Sequence, residues 1–317
     1  MLNKDKELHI VIDTDPGTDD TIALALASTF FKKSISALIS SYGNVNGEQT
    51  YKNLKSLAQL LDIDCTILKG SMNPINSGNI TYTDYHGNNG LCGIQIPLIE
   101  QKTNNINIIM DKSNSFNELY KIIKNKKHVK YISIAPLTNF VRLIRSYKDT
   151  IKYIDELIIM GGGFNCHNVK HRAEYNFSLD GYAVQEALNL PLKKTICPLD
   201  LTQKYVFSEK EIEKIVGCKR STVFEDQSQF GLISQIFFKN YDTAVLHNQT
   251  GAIIHDATTL LYLLAPDKCK TTTTKIKSNT WGTVKKCNDG ELVKIVQDID
   301  KEILTLTLRE MFKKLER

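Results

Sequence analysis

The chain has 317 residues, of which 42% are hydrophobic and 24% charged, and its formal net charge is +5. These values are typical of a globular protein with a sizeable core, and 40 basic against 35 acidic residues argue against nucleic-acid or membrane partners. No stretch approaches the ~20 apolar residues that span a bilayer, and no apolar signal-peptide segment follows Met1. Seven cysteines without a CxxC pair favour a reducing compartment, so we expect a cytoplasmic protein.

The first predicted strand, Leu8–Ile12, is apolar and leads directly into an acidic turn. From Asp13 to Asp20 the sequence reads DTDPGTDD, with four carboxylates in eight residues, and a helix is predicted over Asp19–Phe31. Helix capping and turn chemistry account for one or two of these carboxylates. Because the others would repel one another, the turn predicts a bound cation, and oxygen-only side chains favour a hard one.

Strand-like and helical patterns then alternate. Further strands are predicted at Ile35–Ser41, Cys65–Leu68, Val129–Ile134, Tyr153–Met160 and Lys194–Pro198. Helices are predicted between most of them, at Gly47–Leu61, Phe116–Ile123, Leu137–Ser146 and Gly181–Leu188. This alternation predicts an α/β fold with a doubly wound, mostly parallel sheet and flanking helices.

The C-terminal third has a different pattern. It predicts helices at Ser208–Val216, Val223–Tyr241 and Ile253–Leu264, then short strands over Thr271–Val296 and a terminal helix. We expect a single domain over residues 1–317, with this helical and short-strand part peripheral to the α/β core.

The segment Gly70–Lys112 is rich in glycine and asparagine and has no clear periodicity. Loops longer than ~12–15 residues in a compact domain are usually functional or disordered. This one contains His86-Gly87-Asn88-Asn89-Gly90-Leu91, so we predict that it forms part of a binding site. A plain surface insertion is the alternative.

Polar residues also follow other predicted strands, where parallel sheets bind their ligands. They are Ser41-Tyr42-Gly43-Asn44, Ala135-Pro136-Leu137-Thr138-Asn139, Met160-Gly161-Gly162-Gly163 and, further on, Asn168, Glu174, Tyr175 and Asn176. Taken singly, each fits a turn, a helix cap or a tight loop. Together they give one sheet edge several amides and a carboxylate but few cations, which suits the neutral hydroxyls of a sugar better than a phosphate.

The pair His255-Asp256 opens a late predicted helix. The local sequence is equally consistent with Asp256 as a helix cap and with Asp256 as a metal ligand. As a ligand, it would connect the late helices to the first acidic turn.

These residues, in this order, resemble the motifs of the inosine–uridine-preferring nucleoside hydrolase family. The resemblance covers nearly the whole chain, through DTDPGTDD at Asp13, YGNV around Asn44, HGNNGL at His86, APLTN around Thr138, MGGG from Met160, AEYN at Glu174 and HDA at His255. It implies a calcium-dependent N-ribohydrolase with a nucleoside hydrolase-like α/β fold. Such an enzyme would act on small ribonucleosides and form a homodimer or homotetramer.

The resemblance also implies residue roles. The Ca²⁺ ligands would be Asp15, Asp20, Asp256 and the main-chain carbonyl of Thr138, with Asp15 also the general base for the calcium-bound water. Asp19 would bind the ribose 2′-hydroxyl, Asn44, Asn168, Glu174 and Asn176 the other sugar hydroxyls, and Met160 would pack under the ring. His86, Tyr175 and His255 would face the nucleobase, with His255 the candidate acid for the leaving base. Bond cleavage would pass through an oxocarbenium-like sugar.

Two positions depart from the family pattern. Asn89 stands where many members carry Asp in the His86 loop, which is expected to alter loop packing. Tyr175 replaces a common Phe and adds a hydroxyl that can contact the base or water. Neither position is an implied metal ligand.

Two alternatives remain open from the sequence. A haloacid dehalogenase-type phosphatase also begins with DxD after a strand, and it would use Asp13 as nucleophile and Asp15 as acid and base, although Gly17 does not fit its pattern. A non-catalytic nucleoside-binding homologue would keep the fold without turnover.

Overall fold

The computed structural model describes residues 7–76, 80–98, 107–109 and 112–316. The strands are β1 (His9–Thr14), β2 (Ile35–Ser40), β3 (Thr66–Leu68), β4 (Asn107–Ile109), β5 (Val129–Ser133), β6 (Ile154–Met160), β7 (Lys194–Cys197), β8 (Val206–Phe207), β9 (Ala252–Ile253), β10 (Cys269–Ser278), β11 (Val284–Lys286) and β12 (Glu291–Ile299). The α-helices are α1 (Thr18–Phe31), α2 (Gly47–Leu60), α3 (Lys112–Lys126), α4 (Thr138–Ser146), α5 (Tyr175–Leu179), α6 (Gly181–Asn189), α7 (Leu199–Thr202), α8 (Glu209–Val216), α9 (Arg220–Val223), α10 (Gln229–Leu246), α11 (His255–Leu264) and α12 (Lys301–Leu315).

Ten of these strands form one sheet in the order β11-β10-β12-β7-β6-β5-β1-β2-β3-β4. The strands from β12 to β4 are parallel to their neighbours, and β10 is antiparallel to both β12 and β11. The chain winds outward from β1 through β2, β3 and β4, then returns to β5 on the other side. The predicted doubly wound α/β fold is therefore confirmed, with its switch point between β1 and β5, where such sheets bind ligands.

The central strand β1 is buried along its whole length, because helices cover both faces of the sheet. Ile10 and Ile12 pack into a core that includes residues of α1, α10, α11 and α12. Val11 points to the opposite face and packs with residues of α3, α4 and α6. In the parallel register, Asp13 lies opposite Ile39 of β2 and Ser133 of β5, so the acidic turn begins at the carboxyl edge of the sheet.

The expectation that the C-terminal part is peripheral and built of short strands was wrong. β10 has ten residues and β12 has nine, and β12 pairs in parallel with β7, which makes both part of the main sheet. Buried residues on both faces of β12 explain this pairing, since Val293 and Ile295 belong to one hydrophobic core and Val296 to the other.

The helix predicted over Val223–Tyr241 begins later, at Gln229, and Val223 belongs to a separate short helix, α9. α9 ends at Val223, and α10 begins after Ser228, whose side chain accepts a hydrogen bond from the Gly231 amide and caps the new helix. α10 then continues past Tyr241 to Leu246.

The segment Gly70–Lys112 is only partly a loop. Its end contains β4, and α3 begins at Lys112, four residues before the predicted start at Phe116. Positions 77–79, 99–106 and 110–111 of this prediction lie outside the described residues. None of the described helices is long and apolar enough to cross a membrane.

Candidate active site

The turn after β1 is organised by the carboxylate of Asp20. Its Oδ1 accepts hydrogen bonds from the hydroxyl of Thr14 (2.5 Å) and the amide of Asp15 (3.2 Å). Its Oδ2 accepts from the amide of Gly17 and the side-chain amide of Asn44, both at 2.9 Å. Burial raises the pKa of Asp20 to about 6 despite these donors, and the charge of Asp19 adds to the rise. Asp20 thus caps α1 while remaining part of the acidic site.

Three buried carboxylates meet at the carboxyl edge of the sheet. Oxygens of Asp19, Asp20 and Asp256 all lie within 4.8 Å of one another, at the first turns of α1 and α11. Burial raises the pKa of Asp256 well above its ordinary value, and the neighbouring charges of Asp19, Asp20 and Asp15 raise it further. The structure therefore brings together residues from both ends of the chain in an aspartate-rich site that can hold a metal ion.

Asp15 lies beside this cluster and has one unsatisfied oxygen. Its Oδ2 accepts the amide of Asn44 at 2.7 Å, whereas its buried Oδ1 has no hydrogen-bond partner among the described residues. Burial, followed by the charge of Asp20, raises its pKa well above the ordinary value. Gly43 is required here, because a Cβ at that position would come within 1.9 Å of Asp15 Oδ2. An orphaned carboxylate oxygen among unpaired carboxylates fits a divalent cation with oxygen ligands.

Thr138 opens α4 directly after β5, and its side chain is fully engaged. Its hydroxyl donates to Asp180 Oδ2 at 2.7 Å and accepts from the hydroxyl of Tyr42 at 2.9 Å. The hydroxyl is therefore not available as a ligand. The role of its main-chain carbonyl as a metal ligand stays a prediction.

A cavity of about 290 Å³ opens over the acidic cluster. It is lined by Asp256, by His255 and by all eight residues predicted to bind substrate: Asp19, Asn44, His86, Met160, Asn168, Glu174, Tyr175 and Asn176. No lysine or arginine lines it in the part of the chain that the structure describes. Its volume lies at the lower end of the ~300–1,000 Å³ typical of small-molecule sites.

Glu174 fixes one wall of the cavity by capping α5. Its carboxylate accepts the amides of Asn176 (2.8 Å), Gly162 (3.0 Å) and Phe177 (3.1 Å). Burial nevertheless raises the pKa of Glu174 to about 7. The glycine run after β6 thus lets the Gly162 amide approach the Glu174 carboxylate closely enough to donate a hydrogen bond. The side-chain amide of Asn176 lies 3.4 Å from the Met160 carbonyl, at the end of β6.

Two of the three histidines that line the cavity, His86 and His255, are differently oriented; His86 is buried and His255 is partly buried. His86 Nδ1 faces the amide of Thr18 at 3.2 Å, and because an amide can only donate, the neutral ring must carry its proton on Nε2. That Nε2 lies 3.9 Å from Asp19 Oδ1, and burial lowers the pKa of His86 to about 4. His255 Nδ1 lies 2.6 Å from the hydroxyl of Thr202, and burial lowers its pKa as well.

The two departures from the family pattern have structural accounts. Asn89 donates to the carbonyl of Ile94 at 2.8 Å and accepts the amides of Leu91 and Gly93, so a carboxylate could not reproduce its donor. The hydroxyl of Tyr175 donates to the Gly43 carbonyl at 2.9 Å, and its ring lines the cavity.

Several lining residues were missed by sequence reasoning: Thr83, Asp84, Tyr85, Ile134, Val169, His247 and Gln249. The hydroxyl of Tyr85 donates to Gln249 Oε1 at 3.0 Å, and its ring centroid lies 5.2 Å from that of His247. Two distant segments therefore meet at the cavity mouth. In the sequence, the position of Tyr85 next to His86 could have indicated the first segment. No motif indicated the second segment, which contains His247 and Gln249.

Asp13 does not belong to the cavity. It is fully buried, with Oδ1 accepting from Asn139 at 2.8 Å and Oδ2 from the hydroxyl of Tyr131 at 3.0 Å. Burial raises its pKa to about 7. A carboxylate so enclosed cannot attack a phosphate ester, which removes the basis of the phosphatase alternative.

Comparison with known proteins agrees with this geometry. The inosine-uridine preferring nucleoside hydrolase family matches residues 10–305. Pyrimidine-specific ribonucleoside hydrolase RihA of Shewanella sp. (strain MR-7) is 27% identical over 260 residues, covering 81% of this chain and 78% of that protein. RihA of Salmonella typhimurium (strain LT2) is 28% identical over 265 residues, covering 82% and 80%.

Solved structures show the same fold. An inosine-guanosine nucleoside hydrolase superimposes with a TM-score of 0.84 at 20% identity, covering 97% of this chain and 99% of its own. A purine-preferring ribonucleoside hydrolase from Gardnerella vaginalis gives a TM-score of 0.82 at 17% identity, with coverages of 97% and 98%. The chain therefore belongs to the inosine-uridine preferring nucleoside hydrolase family and is a ribonucleoside hydrolase.

Proposed function

We propose that the enzyme cleaves the N-glycosidic bond with one Ca²⁺ held by Asp15, Asp20, Asp256 and the main-chain carbonyl of Thr138. The observation that carries this proposal is the unpaired, buried Oδ1 of Asp15 beside three further buried carboxylates. An oxygen-only donor set favours Ca²⁺ over softer metals such as Zn²⁺. When bound, the ion offsets the local negative charge and lowers the pKa of a water at the site.

Asp15 is the general base in this proposal. Its Oδ2 is fixed by the Asn44 amide, which leaves Oδ1 to take the proton of the attacking water. Without the ion, burial and the charge of Asp20 raise the pKa of Asp15 well above its ordinary value, and a bound cation would favour the ionised form that a general base requires.

The sugar lies over Met160 with its hydroxyls distributed among the polar side chains of the cavity. Asp19 takes the 2′-hydroxyl, and Asn44, Asn168, Glu174 and Asn176 take the others. The absence of lysine and arginine from the described lining supports a neutral sugar rather than a phosphorylated one. Such contacts orient C1′ toward the water and use binding energy to hold the reactive ring pucker.

The developing positive charge of an oxocarbenium-like sugar is favoured by the surrounding carboxylates and carbonyls. The leaving base requires a proton, and His255 is the proposed donor, since the residue lines the cavity and its Nδ1 is held by the Thr202 hydroxyl. His86, neutral with its proton on Nε2, and the ring of Tyr175 are proposed to contact the base.

The test is an assay of ribose release from inosine, uridine, cytidine and adenosine in calcium-containing buffer. Relatives are named for pyrimidine and for purine substrates, so the panel must include both classes. We expect release from at least one nucleoside, loss of activity with a chelator and recovery with Ca²⁺. Recovery with Zn²⁺ alone would contradict the oxygen-ligand argument, and tight binding without base release would indicate a non-catalytic homologue.

A cytoplasmic location is also proposed, from the cysteine usage, and a homodimeric or homotetrameric state, from the family resemblance. Sedimentation velocity of the purified protein tests the second, and a monomer at micromolar concentration would contradict it.

A further inference from the structure

A second, larger cavity adjoins the catalytic one. Its volume is about 820 Å³, and it shares four wall residues with the catalytic cavity: Thr83, Asn168, Val169 and Tyr175. Two of these, Asn168 and Tyr175, are among the residues proposed to contact the nucleoside. The second cavity therefore lies directly behind one end of the proposed substrate, and its volume is within the range of small-molecule sites.

The second cavity is lined by the single tryptophan of the chain, Trp281, whose side chain is 59% exposed. The turn between β10 and β11 holds this residue in place. Asn279 Oδ1 accepts the amides of Trp281 (3.0 Å) and Thr283 (3.1 Å), and the Asn279 amide donates to the Thr283 carbonyl at 3.1 Å. The tryptophan is thus presented by a closed hydrogen-bonded turn.

Two glycines seat this turn against the start of α6. A Cβ on Gly181 would come within 2.3 Å of the Thr280 carbonyl oxygen, and one on Gly282 within 2.2 Å of the Phe177 carbonyl oxygen. Gly282 also has a φ of +78°, a conformation that other residues rarely adopt. Close backbone packing therefore fixes an exposed aromatic ring at the cavity, where Tyr182, 47% exposed, also lies.

The chemistry of the second cavity favours a flat, uncharged group. Trp281, Tyr182 and Tyr82 supply aromatic rings, whose faces stack on planar groups. The carboxylate in the lining, Asp180, is buried and already accepts from the hydroxyl of Thr138 and the amides of Ile75 and Ala183. It is therefore not available to bind a cation. Lys170 supplies one positive charge at the wall, which is too little for a phosphate site.

We propose that this cavity receives a flat, uncharged group attached to the 5′ carbon of the ribose, so that the enzyme also hydrolyses 5′-substituted ribonucleosides. The inference rests on the proposed function, which places C1′ over the acidic cluster, the 2′-hydroxyl on Asp19 and one of the other sugar hydroxyls on Asn168. Because Asn168 lines both cavities, a group on the 5′ carbon, the end of the sugar away from C1′, can extend past Asn168 into the second cavity. The reaction is the same hydrolysis: water adds to C1′, the C1′–N bond breaks, and the base leaves with a proton while the 5′-substituent stays on the ribose.

The kinetic test compares the best parent nucleoside with its 5′-O-benzyl derivative and its 5′-monophosphate. We expect kcat/KM for the benzyl derivative within about tenfold of the parent, and at least a hundredfold loss for the monophosphate. Trp281→Ala should lower kcat/KM for the benzyl derivative about three- to tenfold, the range of one aromatic stacking contact, and change kcat/KM for the parent nucleoside less than twofold.

Trp281→Phe should restore most of this loss. The matched control is Leu292→Ala, at an exposed apolar residue of β12, which should leave kcat/KM for both substrates at the wild-type value.

The single tryptophan gives a direct binding readout. In an Asp15→Asn background, the benzyl derivative should change the Trp281 fluorescence, and the parent nucleoside should not. A parent that is cleaved, with a benzyl derivative that is neither cleaved nor able to change the fluorescence, would overturn the inference and leave the proposed function intact. Failure to cleave any nucleoside would overturn the proposed function, and the fluorescence titration would then decide the binding claim alone. Equal use of the monophosphate would contradict the uncharged chemistry.

Discussion

The same sheet buries carboxylates at two opposite ends and treats them differently. Near the amino end of β6, Glu156 is 2% exposed and receives the hydroxyl of Thr195 at 2.6 Å and the ammonium groups of Lys193 (3.2 Å) and Lys130 (3.4 Å). Burial alone would raise the pKa of Glu156, but the Thr195 hydrogen bond and the lysine charges lower it below its usual value.

At the carboxyl edge, the acidic cluster has no such compensation. Among the described residues, no lysine or arginine forms an ion pair with Asp15, Asp19, Asp20 or Asp256, and burial raises the pKa of each. The same sheet therefore pairs one buried carboxylate, Glu156, with lysine side chains. The acidic cluster has no such lysine or arginine partner among the described residues, which indicates that its positive charge comes from a bound ion.

The largest expected effect is that of replacing Asp15, because the acidic cluster is proposed to be catalytic and Glu156 is not. Asp15→Asn keeps the size of the side chain and removes the proposed base, so we expect kcat to fall about 10²–10⁴-fold with a modest change in KM. Steady-state kinetics on the best nucleoside measures this. Wild-type turnover would remove Asp15 from the mechanism.

The free energy of unfolding of the metal-free protein should depend on pH, because the buried carboxyl groups at the carboxyl edge have raised pKa values. Burial raises the pKa of Asp13 from 3.8 to about 7, so the unfolded chain releases this proton at lower pH than the folded one. Without metal, the free energy of unfolding should fall as pH rises from about 4 to 7. Chelator-treated protein, unfolded in urea at several pH values, tests the sign. Calcium should restore stability at pH 7, and a metal-free protein that gains stability over this range would contradict the account.

Glu156→Gln is the matched change at the other end of the sheet. It removes a charge-assisted hydrogen-bond acceptor and leaves two lysines close together, although Lys193 is half exposed and screened by solvent. We expect a loss of about 1–3 kcal/mol in the free energy of unfolding. Calcium affinity and kcat should stay at wild-type values, because the change lies far from the acidic cluster. A changed calcium affinity would show that the two ends are coupled.

The smallest expected effect is that of Tyr175→Phe. It removes the hydrogen bond to the Gly43 carbonyl and keeps the ring that lines the cavity. Stability should fall by about 0.5–1.5 kcal/mol, with kcat/KM within about threefold of wild type. A loss of activity beyond a hundredfold would place the hydroxyl in direct contact with substrate.

The sequence predicts one part of the site well, since strand ends of a parallel sheet converge on one edge. Asp15 and Asn44 could be placed there because each follows an apolar strand, and in the structure the Asn44 amide donates to Asp15 Oδ2. Glu174 lies further along the chain, beyond the glycine run that follows β6. Tyr85, His247 and Gln249 could not, because they follow irregular loops or the end of a long helix whose extent depends on tertiary packing.

The C-terminal strands were misjudged for a related reason. β10 is a run of threonines and lysines without an apolar periodicity, and its membership of the sheet depends on pairing with β12. Such pairing joins positions that no local pattern connects. The position of Trp281, in the turn between β10 and β11, depends on the same pairing and could not be predicted from the sequence either.

Calcium binding measured by isothermal titration at pH 7, in buffers of different ionisation enthalpy, tests the central claim most directly. The one acidic cluster found in the described residues predicts one ion per chain, and the raised pKa values of Asp15 and Asp256 predict release of protons on binding. Asp256→Asn should weaken the binding, whereas Glu156→Gln should leave it unchanged. Absence of binding, or binding without proton release that survives Asp256→Asn, would contradict a metal centre at this edge of the sheet.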